Sequence, residues 1–313
     1  MRLDEAEEII ACMPSGKTPF WYFRDRYAVL LLALAGEALD KRAIQRSSFA
    51  QLLDKAVVKD VLAKHRSGKV PSNAFENQVW ASPECYSLTL DTWGSNTRDD
   101  YLQTTRLGHN VVLQLNFPAS HDQIYRRFID LHGAYPFAAY GHPVLRSRHN
   151  TLAWARLDID LDKREALIEE IQSDWLRIAN WYRPDTSKRD TDDYYWHDSA
   201  NPVDVMRYYT EELSKYVLWD EAMLAAAIWF LRHELGVTTI YFHTYDSGAA
   251  LKRTEGIKPP RSIYSRLPRR FCFQPTDQRP SFMRGSVRTV CSKRSVRLAK
   301  FQLLAFDDTG ITG

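Results

Sequence analysis

A pair of strand-like segments near the middle of the 313-residue chain constrains its fold more than any other feature. Residues 152–159 and 166–173 are rich in apolar side chains with alternating polarity, and the polar residues 160–165 join them. Alternation is typical of strands that bury one face, and a short polar connection between two strands is typical of a hairpin. The chain is therefore predicted to contain an antiparallel sheet.

Side chains alternate across a strand, so each segment of this hairpin has two faces. The first strand places apolar residues on one face and polar residues with a tryptophan on the other: Ala155, Leu157 and Ile159 against Trp154, Arg156, Asp158 and Asp160. The second strand divides into two faces in the same way: Ile168, Glu170, Gln172 and Asp174 against Leu167, Glu169 and Ile171.

If the two polar faces coincide, they form one surface that consists of Arg156, Asp158, Glu170 and Gln172. Close carboxylates there would raise one pKa for acid–base chemistry or hold a divalent cation. The alternative is an ordinary solvated sheet face, which is common in antiparallel sheets.

Residues 1–80 are predicted to form a helical N-terminal layer, because apolar residues recur there at helical spacing. Its helices are expected at residues 4–13, 20–39 and 49–64. In residues 81–313 further strands are expected at residues 85–92, 110–117 and 238–243, with one or two after residue 269. Helices are expected there at residues 122–132, 203–217, 219–235 and 247–253. The predicted class is α+β, with the helical layer on a mixed, mostly antiparallel sheet and the functional site within residues 150–275.

A second group of polar residues follows the predicted strand at residues 238–243. His243 is a candidate general base and Tyr245 a candidate acid, although a simple hydrogen-bonding role for the histidine is the alternative. The next helix is expected after Asp246, a good N-cap residue, and free amides at a helix N-terminus bind anions. The candidate anion-binding residues are Ser247, Gly248, Lys252 and Arg253.

Charge is unevenly distributed along the chain. The net charge is +3, but residues 258–300 carry twelve lysines or arginines against one acid, Asp277. A segment of this kind favours nucleic acid or a phosphate-bearing small molecule as partner, and a solvated basic surface is the alternative.

Cysteine spacing and hydropathy lead us to expect a cytoplasmic protein with reduced thiols. Paired spacing of a zinc site or a redox pair is absent from the four cysteines, which are Cys12, Cys85, Cys272 and Cys291. The apolar run at residues 28–35 is far shorter than the roughly 20 residues of a membrane span. We expect no membrane partner and no bound metal.

Two segments resemble known families. The sequence Leu-Ile-Glu-Glu-Ile-Gln-Ser-Asp-Trp at residues 167–175 is similar to a block in large polyvalent proteins of phages and mobile elements. Residues 219–253 combine an amphipathic helix, Gly-Val, a strand and a second helix, and this order resembles the second half of a GNAT-type N-acyltransferase. That resemblance implies an acyl-CoA donor and a splayed central sheet. The family's glycine-bearing pyrophosphate loop has no counterpart, since residues 172–198 contain no glycine.

The first functional hypothesis is a GNAT-like transferase that acts on a polar or nucleic-acid-linked acceptor. Its expected catalytic residues are Glu170, Gln172, Asp174, His243 and Tyr245, its expected substrate-binding residues are Arg156, Asp158 and Trp175, and its expected cofactor is acetyl-CoA or another acyl-CoA. The alternatives are a nucleic-acid-binding effector of a phage or mobile element, which acts through residues 258–300, and a metal-dependent nuclease. The nuclease would use Asp158, Asp160 and Glu170.

Overall fold

A computed structural model describes most of the chain. The described residues are 1–13, 18–65, 68–76, 83–97, 103–129, 137–139, 141–144, 150–181, 202–252, 260–283 and 299–306. Arg253 and residues 284–298, which include Cys291, lie outside these ranges, so the predictions that fall on them have no structural outcome.

The described residues form strands and helices in the proportions of an α+β protein. The strands are β1 (Thr18–Tyr22), β2 (Ala38–Asp40), β3 (Lys69–Pro71), β4 (Glu84–Ser95), β5 (Gly108–Asn116), β6 (Thr151–Asp160), β7 (Glu165–Gln172), β8 (Thr239–His243), β9 (Gln274–Thr276) and β10 (Phe301–Ala305). The α-helices are α1 (Leu3–Cys12), α2 (Arg26–Leu34), α3 (Lys41–Arg46), α4 (Ala56–Lys64), α5 (Asn73–Glu76), α6 (Ala119–Phe128), α7 (Asp174–Trp181), α8 (Pro202–Arg207), α9 (Trp219–Trp229), α10 (Tyr245–Lys252) and α11 (Arg261–Arg270). Short 3₁₀ turns lie at Ala50–Asp54, Leu213–Tyr216 and Ser281–Met283, and π turns at Tyr208–Glu212 and Phe230–Glu234.

Among the described strands, eight form one sheet in the order β1-β4-β5-β6-β7-β8-β10-β9, and β2 and β3 form a separate pair. Neighbouring strands of the large sheet run antiparallel except β7 and β8, which are parallel. A parallel pair needs a long crossover, and the segment with α7, α8 and α9 provides it. The mixed, mostly antiparallel sheet of the prediction is confirmed.

One face of this sheet is apolar and carries the core. Leu113, Ala155 and Ile168 on that face belong to the same buried cluster as residues of α2 and α9. Helix α9 contacts β5, β6 and β7, and α2 packs on α9. The run of small residues Ala225–Ala227 is fully buried, which lets the helix lie close to the sheet. The opposite, polar face carries the residues considered below.

The N-terminal region differs from the single long helix predicted at residues 20–39. Phe20 and Tyr22 pair with β4 as part of β1, and Asp25, which has a left-handed backbone with φ of 63°, separates this strand from α2. Residues 20–22 form a strand despite their helical pattern, because strand β1 extends an existing sheet. The region therefore contributes a strand to the large sheet as well as helices.

Of the other predicted helix ends, the one at Gly236 agrees with the structure and the start of α10 is shifted. Gly236 has φ of 66° at the end of the helical segment after residue 219, as a left-handed cap requires. Helix α10 begins at Tyr245, two residues before the predicted start, so Asp246 lies inside its first turn rather than at the N-cap. Helix α11 was not predicted, although its buried residues Ile263, Tyr264 and Leu267 recur at helical spacing.

Candidate active site on the polar face of the sheet

A bulge in β7 changes which side chains share the polar face. Arg156 pairs with Glu170 and Leu157 pairs with Ile168, so Glu169 is an extra residue without a partner on β6. An extra residue of this kind shifts the alternation of the strand by one position. Glu169 and Glu170 therefore both lie on the polar face, and the predicted placement of Glu169 with Ile171 on the opposite face is wrong.

Glu170 lies in a buried ion-pair cluster. The Arg156 guanidinium donates a hydrogen bond to Oε2 of Glu170, and Nζ of Lys252 lies 3.3 Å from the same oxygen. Lys252 also donates to the backbone oxygen of Glu169 at 3.0 Å. All four of these residues are less than 9% exposed, so Lys252 is not available to a phosphate group as the sequence had suggested.

Glu169 binds a histidine and a threonine. Nε2 of His243 lies 3.1 Å from Oε2 of Glu169 and 3.1 Å from Oγ1 of Thr105, and the Thr105 hydroxyl donates to the carboxylate. Because a carboxylate only accepts, Nε2 carries the proton in the neutral imidazole. Nδ1 is then unprotonated, and this buried atom has no partner among the described residues.

The two groups share neighbouring residues of β7 and form one inner cluster, which consists of Thr105, Arg156, Glu169, Glu170, His243 and Lys252. Their contacts keep both carboxylates charged. Burial opposes ionisation of Glu169, but hydrogen bonds from His243 and Thr105 and the charge of Arg156 outweigh it and lower the pKa of Glu169 to about 2. Burial likewise opposes ionisation of Glu170, and Lys252 and Arg156 still lower its pKa. Burial lowers the pKa of His243 more than Glu169 raises it, so the imidazole is neutral near pH 7.

A second cluster lies around Asp174, the first residue of α7, two residues after the end of β7. Four groups donate to its carboxylate: Nδ1 of His142 at 2.8 Å, Nε1 of Trp154 at 2.8 Å, the guanidinium of Arg177 at 2.6 Å and the amide of Gln172. Burial opposes ionisation of Asp174, but the hydrogen bonds from His142, Trp154 and Arg177 lower its pKa. A buried, fully bonded carboxylate thus holds one edge of the His142 ring.

His142 is more accessible than the carboxylate that it contacts. Its side chain is 33% exposed, whereas that of Asp174 is 2% exposed. The turn that carries it is anchored to the sheet, because Nε2 of Gln114 on β5 donates to the backbone oxygen of Pro143 at 3.0 Å. With Nδ1–H bonded to Asp174, Nε2 of His142 holds the lone pair that a general base needs.

The sequence suggested little about His142. The Gly-His-Pro turn of residues 141–143 marks a constrained position, but only the fold brings the turn to Asp174. Gln172 and Asp174, both predicted to be catalytic, do lie in this cluster. Glu170 and His243, also predicted to be catalytic, lie in the buried inner cluster.

Both clusters lie at the carboxyl ends of the parallel strands. Strand β7 ends at Gln172 and leads into α7, and β8 ends at His243 and leads into α10. In sheets with parallel strands, ligands bind outside these ends, where the chain leaves in helices on each side. The two clusters therefore lie where the topology favours a site.

The remaining predicted site residues have other surroundings. Trp175, a predicted substrate contact, is buried in the core and donates to the Tyr208 hydroxyl at 3.0 Å. Asp158 is bound by Arg106, and Asp160 accepts from the backbone nitrogen of Lys163 in the hairpin turn at 3.0 Å. No group of three or more His, Cys, Asp or Glu residues suited to a metal ion occurs in the described part of the chain.

Ser247, Gly248 and Lys252, the described residues among those predicted to bind the acyl-CoA donor, do not form a pyrophosphate cradle. The Ser247 hydroxyl accepts from the backbone nitrogen of Lys300 at 2.8 Å, and a Cβ at Gly248 would lie 3.2 Å from Cβ of His243. At the other helix start, the Asp174 carboxylate lies where pyrophosphate would need amides and positive charge. Tyr245 is half-buried beneath the guanidinium of Arg261, 5.4 Å from its ring centroid.

Comparison with protein-family models, with curated proteins and with solved structures found no match to this chain. None of the described helices combines the length and the apolar character needed to cross a bilayer.

Proposed function

We propose that the protein is an enzyme of the acyl-transfer class in which His142 is the general base. In this reaction Nε2 of His142 takes the proton from a hydroxyl or amine of a polar acceptor. The acceptor oxygen or nitrogen bonds to the carbonyl carbon of the donor, and the leaving group departs with its electron pair and is protonated. The observation that carries the proposal is the hydrogen bond of 2.8 Å between the buried Asp174 and Nδ1 of the exposed His142.

The surroundings of Asp174 support this role. A base needs a partner that fixes the ring orientation and the tautomer and stabilises the imidazolium once the proton arrives. Trp154 and Arg177 hold the carboxylate in place, so it cannot turn away when His142 becomes charged. Arg177 is half exposed, so it places a solvent-accessible cation beside Asp174.

A histidine–carboxylate pair on the surface of the same chain provides the contrast. Nδ1 of His233 lies 2.8 Å from Glu234, at the distance found in the His142 pair. The Glu234 side chain is 32% exposed, however, and it is the sequence neighbour of the histidine rather than a group fixed by the sheet. We expect this surface pair to have no catalytic role, which makes His233 a matched control.

The acyl class rests on the GNAT-like order of residues 219–253 together with the parallel β7–β8 pair, from which a splayed sheet can open. Because the expected pyrophosphate cradle does not fit, the donor is proposed as an activated acyl ester or thioester that does not need one. A thermal-shift series with acetyl-CoA tests the family's own donor, since a ligand that binds only the folded state raises the melting temperature.

The catalytic test uses p-nitrophenyl acetate as donor, with water or added amines as acceptor. We expect His142→Gln to lose about 10²-fold or more of the enzymatic rate, as removal of a general base does, and Asp174→Asn to lose rate with its fold retained. His233→Gln should match the wild type. Equal rates in His142→Gln and His233→Gln, with both proteins folded by circular dichroism, would contradict the proposal.

A second candidate function, nucleic-acid binding, has one specific observation in its favour. Arg261, Arg266 and Arg269 are exposed on α11, at spacings that place them on neighbouring turns, within the basic segment of residues 258–300. Arg270 is instead committed to an ion pair with the buried Glu221. Clustered arginines at helical spacing suit a phosphate backbone.

Salt dependence tests this candidate. We expect retardation of short DNA or RNA to weaken with salt, and each of Arg266→Gln and Arg269→Gln to lower the slope of log affinity against log salt by about one. Arg2→Gln is the control, because Arg2 is an exposed arginine at the N-cap of α1, outside the basic segment. An unchanged slope in both α11 variants removes this function.

A further inference from the structure

A short strap, residues 103–108, crosses the polar face above the inner cluster. Gln103 and Gly108 have left-handed backbones, with φ of 52° and 121°, so the chain changes direction at both ends. A Cβ at Gly108 would lie 2.6 Å from the backbone oxygen of Met1, which restricts that end to glycine. Between these ends Thr104 and Thr105 are buried.

The strap is held to the sheet by polar groups. Its Gln103 backbone oxygen accepts from the Arg156 guanidinium at 3.0 Å. Its Thr105 backbone nitrogen donates to Glu169 at 3.3 Å, and the Thr105 hydroxyl donates to the same carboxylate beside Nε2 of His243. A hydroxyl therefore occupies the position between a histidine and a carboxylate.

Arg106, the next residue of the strap, binds a carboxylate of the sheet. Nε and one terminal nitrogen of Arg106 donate to the two oxygens of Asp158 at 2.6 and 2.7 Å, in the bidentate geometry that arginine and carboxylate prefer. The ring centroid of Phe282 lies 4.4 Å from the Arg106 guanidinium carbon. The Met1 nitrogen also approaches Asp158, at 3.4 Å, but only Arg106 makes the paired contact.

Two buried polar atoms on the rings around Gly248 lack partners among the described residues. Nδ1 of His243 and the hydroxyl of Tyr264 are both buried without a hydrogen bond. A Cβ at Gly248 would lie 3.5 Å from Cγ of His243 and 3.7 Å from a ring carbon of Tyr264, so the two rings flank the same glycine. Unsatisfied buried groups are costly, and a ligand or water that bonds them recovers that cost.

We propose that the strap is a displaceable occupant of a peptide-binding site, and that the site takes a Ser/Thr-Arg segment of another polypeptide. The hydroxyl of such a segment bonds Glu169 and its guanidinium bonds Asp158 and stacks on Phe282, as Thr105 and Arg106 do. The hydrogen bonds and ion pairs of the strap are replaced in kind, so exchange leaves no buried charge unpaired. A polypeptide fits better than free arginine, because a polypeptide also supplies the backbone oxygen that accepts from the Arg156 guanidinium.

The first test removes the two strap side chains that bind Glu169 and Asp158. The double variant Thr105→Ala/Arg106→Ala is expected to melt at a lower temperature than the wild type. A synthetic peptide with the sequence of residues 103–108 should then bind and raise that temperature. A peptide with neutral citrulline in place of arginine should not, and free arginine should bind at least tenfold more weakly. A folded double variant that binds none of these overturns the proposal, and equal binding of free arginine and peptide overturns the choice of a polypeptide.

A second measurement serves if the double variant does not fold. Native-state hydrogen exchange of the wild type reports local opening, because a segment that opens alone exchanges faster than the global unfolding rate allows. We expect the Thr105 amide to exchange at least tenfold faster than the amides of Val111 and Ala155 in the neighbouring strands. Exchange of all three at one rate would make the strap part of the core and overturn the proposal.

Discussion

Two histidine–carboxylate pairs on the polar face of the sheet differ most in how far the imidazole is exposed. His142 with Asp174 and His243 with Glu169 have similar separations, 2.8 and 3.1 Å, and in each pair the carboxylate is buried. The His142 ring is one-third exposed, whereas His243 is fully buried. Under the proposed function, the exposed pair serves catalysis and the buried pair holds the sheet together, and exposure of the imidazole is what distinguishes them.

The partners of the two carboxylates show the same division. Glu169 and Glu170 face Arg156 and Lys252, both buried, so each charge depends on the others to remain inside the protein. Asp174 is bound by Arg177, whose side chain is 51% exposed and remains solvated without the carboxylate. Removing a charge from the inner cluster should thus cost far more stability than removing one from the cluster around Asp174.

The largest expected effect is the loss of stability when the inner cluster loses a cation, compared with the same change in the cluster around Asp174. Arg156→Met leaves Glu170 with less compensation and should lower the free energy of unfolding by about 3 to 5 kcal/mol, as loss of one partner of a buried ion pair does. The matched Arg177→Met should cost less than about 1 kcal/mol, because that cation is half exposed and its pair is screened by solvent. Urea unfolding of both variants measures the difference, and similar losses would remove the distinction.

The next effect is the response of the inner cluster to acid. Glu169 has a pKa of about 2 in the folded protein against an ordinary value of 4.5, so its stabilisation is complete above pH 4.5 and is lost as the pH falls toward 2. The loss is on the order of 3 kcal/mol. His243 acts in the same direction below pH 6.5, since its lowered pKa leaves the folded protein short of a proton that the unfolded chain binds.

Glu169→Gln isolates the carboxylate from this combined response. Urea unfolding at intervals between pH 7 and pH 3 should show a shallower loss of stability in the variant than in the wild type. Asp246→Asn, on an exposed residue of α10, is the control and should keep the slope of the wild type. Identical slopes in all three proteins would show that Glu169 titrates as an ordinary carboxyl.

The smallest expected effect concerns the two histidines themselves. His142→Gln should change the free energy of unfolding by less than about 1 kcal/mol, because Trp154, Gln172 and Arg177 still bond Asp174 and the ring is partly exposed. His243→Gln should cost several times more, since a buried carboxylate then loses its imidazole partner. Comparable costs in urea would mean that His142 also has a structural role.

Local patterns in the sequence predicted much of the sheet and part of the site. Alternation placed β6 and β7 within one or two residues of their observed ends, and it placed Arg156 and Glu170 on one face. The bulge at Glu169 was not predictable, because two adjacent glutamates look the same in an alternating strand whether or not a residue is inserted. Trp175 was assigned to a substrate from its sequence context, but its surroundings are set by residues distant in the chain.

The sequence by itself determined the α+β class, the central hairpin and the polar character of one sheet face, because hydrophobic period and turn chemistry act over a few neighbouring residues. Only the tertiary structure decided that His142 meets Asp174, that Lys252 faces Glu170, and that the strap covers Glu169. Those contacts join residues 32, 82 and 64 positions apart. Separations of that size are closed by burial of the shared core, which no local pattern encodes.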